Sequence, residues 1–256
     1  MSIIRSLYRR LESSKWGFFP VLFKSRKPKE LSWKDYLNIQ TTLIRYQPLV
    51  FPSGDVIPKK CCPTIIDSRE KYKFLKLPQD FAGKSFLDIG CAEGFFVIQA
   101  TARGAVFSRG CDMMAQRIDI ANIVAGSWGF QEKTDFSLVK LYDIPRDYSA
   151  DIVVCLAVGH HLHGGNHDTW AIISEPEKHA DAFANMLKAV SAVAKLTKEK
   201  TYWEYCYEYD GLKPEHIDYT KLGRIWEEQK LYHKVEFKGL LYCTDIKDRA
   251  VYYAYK

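Results

Sequence analysis

Phe86-Leu87-Asp88-Ile89-Gly90-Cys91-Ala92-Glu93-Gly94-Phe95-Phe96 is the stretch that decides the fold. Its apolar opening with a single acid reads as a buried strand, Gly90 to Gly94 as a sharp turn, and Phe95 onward as the start of a helix. Such strand–turn–helix units hold nucleotide-like ligands outside the carboxyl ends of the strands of an α/β sheet. The residues around the glycines narrow the ligand. A dinucleotide turn wants G-x-G-x-x-G, so that backbone N–H groups approach a pyrophosphate at a helix N-terminus. Counted from Gly90, the second and third glycine positions hold Ala92 and Phe95. A P-loop wants a Lys-Ser/Thr pair after its last glycine, and Phe95-Phe96 stands there instead. A carboxylate at Asp88 would also repel a diphosphate.

A ligand with a cationic end and no phosphate suits that acid better. S-adenosylmethionine (SAM) has an ammonium, a sulfonium and a ribose, and the chain downstream offers matching groups. Val106 to Cys111 reads as a second strand ending in Asp112, about 20 residues past the turn, where a carboxylate accepts from ribose hydroxyls. Phe136 to Lys140 reads as a third strand followed by Asp143, placed to accept the adenine amino group. Asp151 to Ala157 reads as a fourth strand, apolar on both faces as a central parallel strand is.

Residues 84–163 resemble class I SAM-dependent methyltransferases. The resemblance rests on D-x-G-x-x-x-G at Asp88, Gly90 and Gly94, on Asp112, on Asp143 and on the Leu156–His161 segment, in that family's order. It implies a cofactor-binding set of Asp88, Gly90, Cys91, Ala92, Gly94, Phe95, Asp112, Met113, Asp143, Leu156 and Ala157. Another Rossmann-like enzyme with a chance acid is the competing reading, since fold does not fix function. Two narrower resemblances stand side by side. Asp67-Ser-Arg-Glu-Lys-Tyr72 and Gly83-Lys84 are similar to wobble-uridine tRNA methyltransferases, which also allows a modified cofactor such as carboxy-SAM. Cys91 to Phe96, His160-His161 and Trp203-Glu204 are similar to the methyltransferase domains that cap bacterial O-antigen chains.

The wider pattern predicts a doubly wound, seven-stranded Rossmann-like α/β sheet, mostly parallel with an antiparallel final strand, behind an N-terminal helical extension. Helices are expected at 94–103, 116–126, 177–196 and 218–230, and later strands at 200–207, 234–242 and 249–256. Residues 1–80 form the arm and extension, and 81–256 the SAM-binding domain. The chain of 256 residues has 37 Lys and Arg against 31 Asp and Glu, a net charge of +6. Residues 1–30 hold eight basic and two acidic side chains, so the whole excess sits there. Ile3, Ile4, Leu7 and Leu11 recur at helical spacing with Arg5, Arg9 and Arg10 largely opposite. A basic amphipathic helix of this kind lies on anionic membrane, clamps RNA, or packs on its own domain; the sequence leaves all three open. No run of about 18 apolar residues indicates a spanning helix. Seven cysteines without a C-x-x-C read as reduced thiols of a cytoplasmic protein.

His160-His161-Leu162-His163-Gly-Gly-Asn166-His167-Asp168 follows strand four. His160 and His161 are the candidate general bases for a hydroxyl acceptor; a phosphate oxygen needs no base, only cations to position it. The spacing of the histidines matches no metal-ligand set with known mechanics, so no metal is expected. The fifth strand, Thr201 to Asp210, alternates aromatics and acids and could bind sugar hydroxyls by stacking and hydrogen bonds, or simply be sheet core. The expected acceptor is a glycan or another small polar molecule, with RNA and a non-catalytic scaffold role as alternatives.

Overall fold

The structure is a computed structural model that describes residues 27–42, 44–60, 66–162, 169–207, 214–241 and 249–256, without the side chains of residues 160, 162 and 214. Helix α1 (Trp33–Thr41) opens it, with Ser32 accepting from the Asp35 N–H at its N-cap. A small antiparallel ladder, β1 (Leu49–Val50) and β2 (Val56–Ile57), follows. Helix α2 (Ser68–Phe74) is capped by Asp67, which accepts from the Arg69 N–H.

Five crossover-linked strands then build the main sheet: β3 (Ser85–Ile89), β4 (Phe107–Asp112), β5 (Thr134–Leu138), β6 (Ala150–Leu156) and β7 (Thr197–Cys206). Helices α3 (Phe95–Ala102), α4 (Ala115–Ser127), α5 (Gly159–Leu162), α6 (Thr169–Ser174) and α7 (Ala180–Leu196) lie between them. Helix α8 (Thr220–Glu228) leads to β8 (Lys234–Leu241), and β9 (Arg249–Tyr255) closes the chain. The spatial order is β5-β4-β3-β6-β7-β9-β8. β3, β4, β5, β6 and β7 pair in parallel, whereas β9 runs antiparallel to both β7 and β8. The seven-stranded sheet with a reversed final strand is thus as expected. The residues that join the last two strands, 242–248, lie outside the described residues.

Both faces of the sheet are covered, and the period of two divides its residues between two cores. Phe86 and Val154 pack on one face with Phe96, Val97 and Ala100 of α3 and Ala121 and Val124 of α4. Leu31, Tyr36, Ile39, Phe51, Tyr72 and Leu75 of the pre-sheet segment join this same cluster. Leu87, Val153, Cys155 and Trp203 face the other way, against Met186, Val190 and Val193 of α7 and Leu222 and Trp226 of α8. In α7 these apolar positions recur three and four apart, so one stripe of the helix meets the sheet.

β5 begins and ends two residues before the expected 136–140, β7 begins three residues before the expected 200, and α7 begins three residues after the expected 177, while the other predicted strands and helices of the sheet domain fall within two residues of their expected bounds. The register of β5 is fixed by pairing of Ser108 with Thr134 and Gly110 with Phe136. Cys91, Cys111, Cys155 and Cys206 are buried free thiols, as read from the sequence. Cys61, Cys62, Cys243 and most of the basic arm lie outside the described residues. Among the described residues no helix is long and apolar enough to cross a membrane.

Candidate functional site

A cavity of about 770 Å³ runs along the carboxyl edge of the sheet, from the end of β4 past β3 and β6 to the first residue of β9. Its floor is the glycine turn. Gly90 adopts φ +77, and a Cβ there would lie 2.3 Å from Val158 Cγ2, so no larger residue fits between the turn and the loop after β6. Ala92 and Ala157, on facing walls, hold left-handed φ values of 47 and 57. Both are fixed by hydrogen bonds: the Ala92 N–H donates to Asp112 Oδ2 (3.0 Å) and the Ala157 N–H to the Glu204 carbonyl (3.1 Å). Left-handed conformations of non-glycine residues persist only where their surroundings impose them.

Asp88, the penultimate residue of β3, lines the cavity with 2% of its surface exposed. Its Oδ2 has no hydrogen-bond partner. Burial, together with the nearby Asp112, pushes its carboxyl up to about 8 against a smaller opposing pull from Lys71. A buried, unpartnered carboxyl facing a cavity fits a cationic ligand group. Asp112, one strand over, uses Oδ2 for Ala92 and Oδ1 for the Met114 N–H at 2.9 Å. Each oxygen has a second lone pair, so it can still accept from ligand hydroxyls. Arg117 Nη1 stands 3.7 Å from Asp112 Oδ2, and its guanidinium lies 4.4 Å from the centre of the Tyr46 ring.

The pre-sheet segment forms one wall. The carboxylate of Glu93, inside the glycine turn, accepts from the N–H groups of Tyr46 and Gln47 at 3.0–3.2 Å. Gln47 Oε1 in turn accepts from the Phe95 N–H at 2.8 Å. The N-cap of α3 is Gly94, which has no side chain to satisfy that amide; Gln47 does so from another part of the chain. Two reciprocal contacts therefore hold Tyr46 and Gln47 against the cavity.

Of the expected cofactor residues, the structure brings Asp88, Gly90, Ala92, Asp112, Met113, Leu156 and Ala157 to this cavity. Cys91, Gly94, Phe95 and Asp143 are not on its wall. The Cys91 sulfur turns towards Gly110 and Phe136, Gly94 packs on Phe136 and Ala121, and the Phe95 amide is taken by Gln47. Asp143 is exposed in a single 3₁₀ turn, while the preceding Leu141 and Tyr142 reach the cavity. His161, exposed on α5, lines the cavity; the side chain of His160 and all of His163, His167 and Asp168 lie outside the described residues. The aromatics of β7 are not a stacking platform. Trp203, Tyr205 and Tyr207 are completely buried in the sheet core, and Glu208 and Asp210 lie outside the described residues.

Sequence reasoning did not place Tyr46, Gln47, Lys71, Arg117, Tyr142 or Arg249 at the cavity, yet all line it. For Lys71 a signal existed, since it lies in the Asp67–Tyr72 stretch singled out above.

No family model matches the chain. Ribosomal protein L11 methyltransferase of Yersinia pseudotuberculosis is 29% identical over 152 residues, which cover 57% of this chain and 48% of that protein. The chain thus spans about half the length of the curated relatives it matches. Among solved structures, magnesium protoporphyrin IX methyltransferase from Synechocystis, with bound SAM, aligns with 73% of this chain and 77% of its own at a TM-score of 0.48 and 14% identity. The N-terminal domain of EvdMO1, crystallised with S-adenosylhomocysteine (SAH) and D-fucose, aligns with 74% and 81% at 0.48 and 12%. The strand order, together with the sequence likeness to L11 methyltransferases, bears out the class I methyltransferase fold expected from the motifs.

Proposed function

We propose that the chain is a SAM-dependent methyltransferase that acts on a hydroxyl or phosphate oxygen of a glycan or another small polar acceptor. The observation that carries this reading is the unpartnered, buried Asp88 oxygen in the same cavity as Asp112. The donor's ammonium would satisfy Asp88, and its ribose hydroxyls would donate to Asp112. Met113 and Tyr142, which keep 70% and 48% of their surface exposed, together with the buried Leu141, offer apolar walls for a flat base. When bound, SAM supplies an electrophilic methyl group. The chain's own contribution is to orient the donor, exclude water, and hold the acceptor oxygen in line. For a hydroxyl acceptor, His161, which lines the cavity, would take the proton.

Residues 81–256 hold the donor in this reading, and the 1–80 segment walls the cavity through Tyr46, Gln47 and Lys71. The L11 match covers about half of those proteins, so their protein acceptor does not transfer with it. Incubating the chain with methyl-labelled SAM and fractionated cell extract tests the acceptor. Label is expected in a small polar or lipid-linked sugar fraction. Label in RNA or protein alone would overturn the acceptor, and absence of SAM binding by calorimetry would overturn the donor.

A further inference from the structure

Helix α1 buries one stripe of its surface and leaves apolar side chains outside it. Tyr36, Ile39 and Gln40 are buried. Trp33 and Leu37, four residues apart and so one above the other on the helix, keep 49% and 37% of their surface exposed. Ile44, beyond the helix end, keeps 52%. Isolated exposed apolar residues are ordinary. These three fall within twelve residues of chain, and they follow a segment that is both basic and aromatic. Residues 1–26 carry six Lys and Arg against one acid, Glu12, and include Trp16, Phe18, Phe19 and Phe23. The same mixture continues into α1, where Lys27 Nζ lies 5.7 Å from the centre of the Trp33 ring and Lys29 and Lys34 are exposed.

Three kinds of partner could take such a surface, and the residues discriminate among them. Packing of the arm against α1 is opposed by charge, since Lys27, Lys29 and Lys34 outnumber Glu30 and Asp35 there and both segments are net cationic. Single-stranded RNA would use the cations for its phosphates and Trp33 for stacking, but Leu37 and Ile44 can neither stack on a base nor donate to a phosphate. An anionic bilayer uses both halves. Its headgroups attract the lysines and arginines, and the boundary between headgroups and acyl chains takes the tryptophan and the aliphatic side chains.

We propose that the exposed side of α1, together with the basic arm that leads into it, docks on an anionic lipid bilayer. Ile44 stands two residues before Tyr46 of the cavity wall, no more than roughly 7 Å along the chain. Docking through this side therefore brings one wall of the cavity close to the headgroups. It requires nothing of the donor site and goes beyond methyl transfer.

Co-sedimentation of the full chain with vesicles of phosphatidylcholine mixed with phosphatidylglycerol, against phosphatidylcholine alone, tests it. Binding to the mixed vesicles is expected to be stronger by about tenfold or more, and to weaken as salt screens the surface charge. Trp33→Gln/Leu37→Gln, which keeps good helix formers at both positions, should weaken that binding by about tenfold and leave the melting temperature unchanged. Arg5→Gln/Arg9→Gln/Arg10→Gln should remove most of the preference for the anionic vesicles. A wild type without that preference, or a folded Trp33→Gln/Leu37→Gln variant that binds equally well, overturns the docking. So does a lower melting temperature of that variant, which would show the side packed within the protein. Binding of a single-stranded RNA that the triple arginine variant loses, with its vesicle binding intact, overturns it in favour of RNA. Failure to bind SAM in calorimetry would sink the donor reading and leave the bilayer contact standing.

Discussion

Asp88→Asn tests the electrostatics of the site through two independent readouts. In the free protein the Asp88 carboxyl is pushed up to about 8 from its ordinary 3.8 by burial and by Asp112. The unfolded chain therefore gives up this proton first as pH rises, and the folded state loses stability between about pH 4 and 8. At 1.36 kcal/mol per pH unit, the three units from pH 5 to 8 correspond to roughly 4 kcal/mol. The substituted amide does not ionise, so the difference in melting temperature between variant and wild type should widen over that range. For a chain of this size 1 kcal/mol shifts the midpoint by about 2–4 °C, giving a widening on the order of 10 °C. Titrating groups remote from Asp88 are common to both proteins and cancel in the difference. The second readout is donor binding. If the ammonium of SAM pairs with ionised Asp88, a group mostly protonated at pH 7 must release its proton, about 0.9 per SAM bound for a value near 8. Calorimetry in buffers of differing ionisation enthalpy measures that number directly. The Asp88→Asn variant should release none and bind SAM about 10- to 100-fold more weakly, the loss of a hydrogen bond to a charged group. A melting difference that stays flat with pH, together with heats independent of buffer, would refute both the raised carboxyl and its pairing with the ammonium.

Three further substitutions probe how the cavity is held together. Asp112→Asn leaves one oxygen where two N–H groups, of Ala92 and Met114, now find two acceptors; one buried amide loses its partner at about 1–3 kcal/mol, so denaturant titration should show that loss and calorimetry a weaker SAM affinity. Gln47→Ala strips the acceptor from the Phe95 amide and should destabilise the protein by about 1 kcal/mol, as loss of an N-cap does; an unchanged midpoint would show that the amide finds another acceptor. Gly90→Ala brings a Cβ to 2.3 Å from Val158 Cγ2. Val158→Ala in the same chain should recover the steric part and leave the cost of a left-handed alanine, about 1–2 kcal/mol, so strict additivity in the double-mutant cycle would contradict the contact.

What the sequence made legible here is what local chemistry determines. The turn at Gly90, the acids at the ends of β3 and β4, and the alternation of strands and helices are set by residues close together in the chain. Asp143 stands off the cavity wall, in the turn after β5, and the end of that strand follows its pairing with β4, a register that is not written in the apolar run alone. The aromatics of β7 could be read as a stacking face or as sheet core, and only the surrounding elements decide it for sheet core. Trp203, Tyr205 and Tyr207 read as one amphipathic face, but α7 and α8 cover that face and β6 and β9 flank the strand, so no ring is left for a ligand. The wall made by Tyr46 and Gln47 depends on Glu93 reaching a segment with no periodic pattern of its own.

The triad of Lys71, Glu204 and Arg249 is the extreme case, because its three members come from a helix before the sheet, a central strand and the last strand. Taken one at a time they are ordinary: a lysine in a short helix, an acid within an aromatic strand, an arginine at a strand start. Only the antiparallel insertion of β9 beside β7 brings Arg249 opposite Cys206, at the carboxyl edge of the sheet. A parallel final strand would begin at the opposite edge and place that guanidinium far from the cavity. The reversed strand of this fold thus has a chemical consequence in this chain: it delivers a cation to the ligand-binding edge. Asp88 and Asp112 reach the cavity from successive strands of the sheet, whereas Lys71 and Arg249 reach it from elements far apart in the chain.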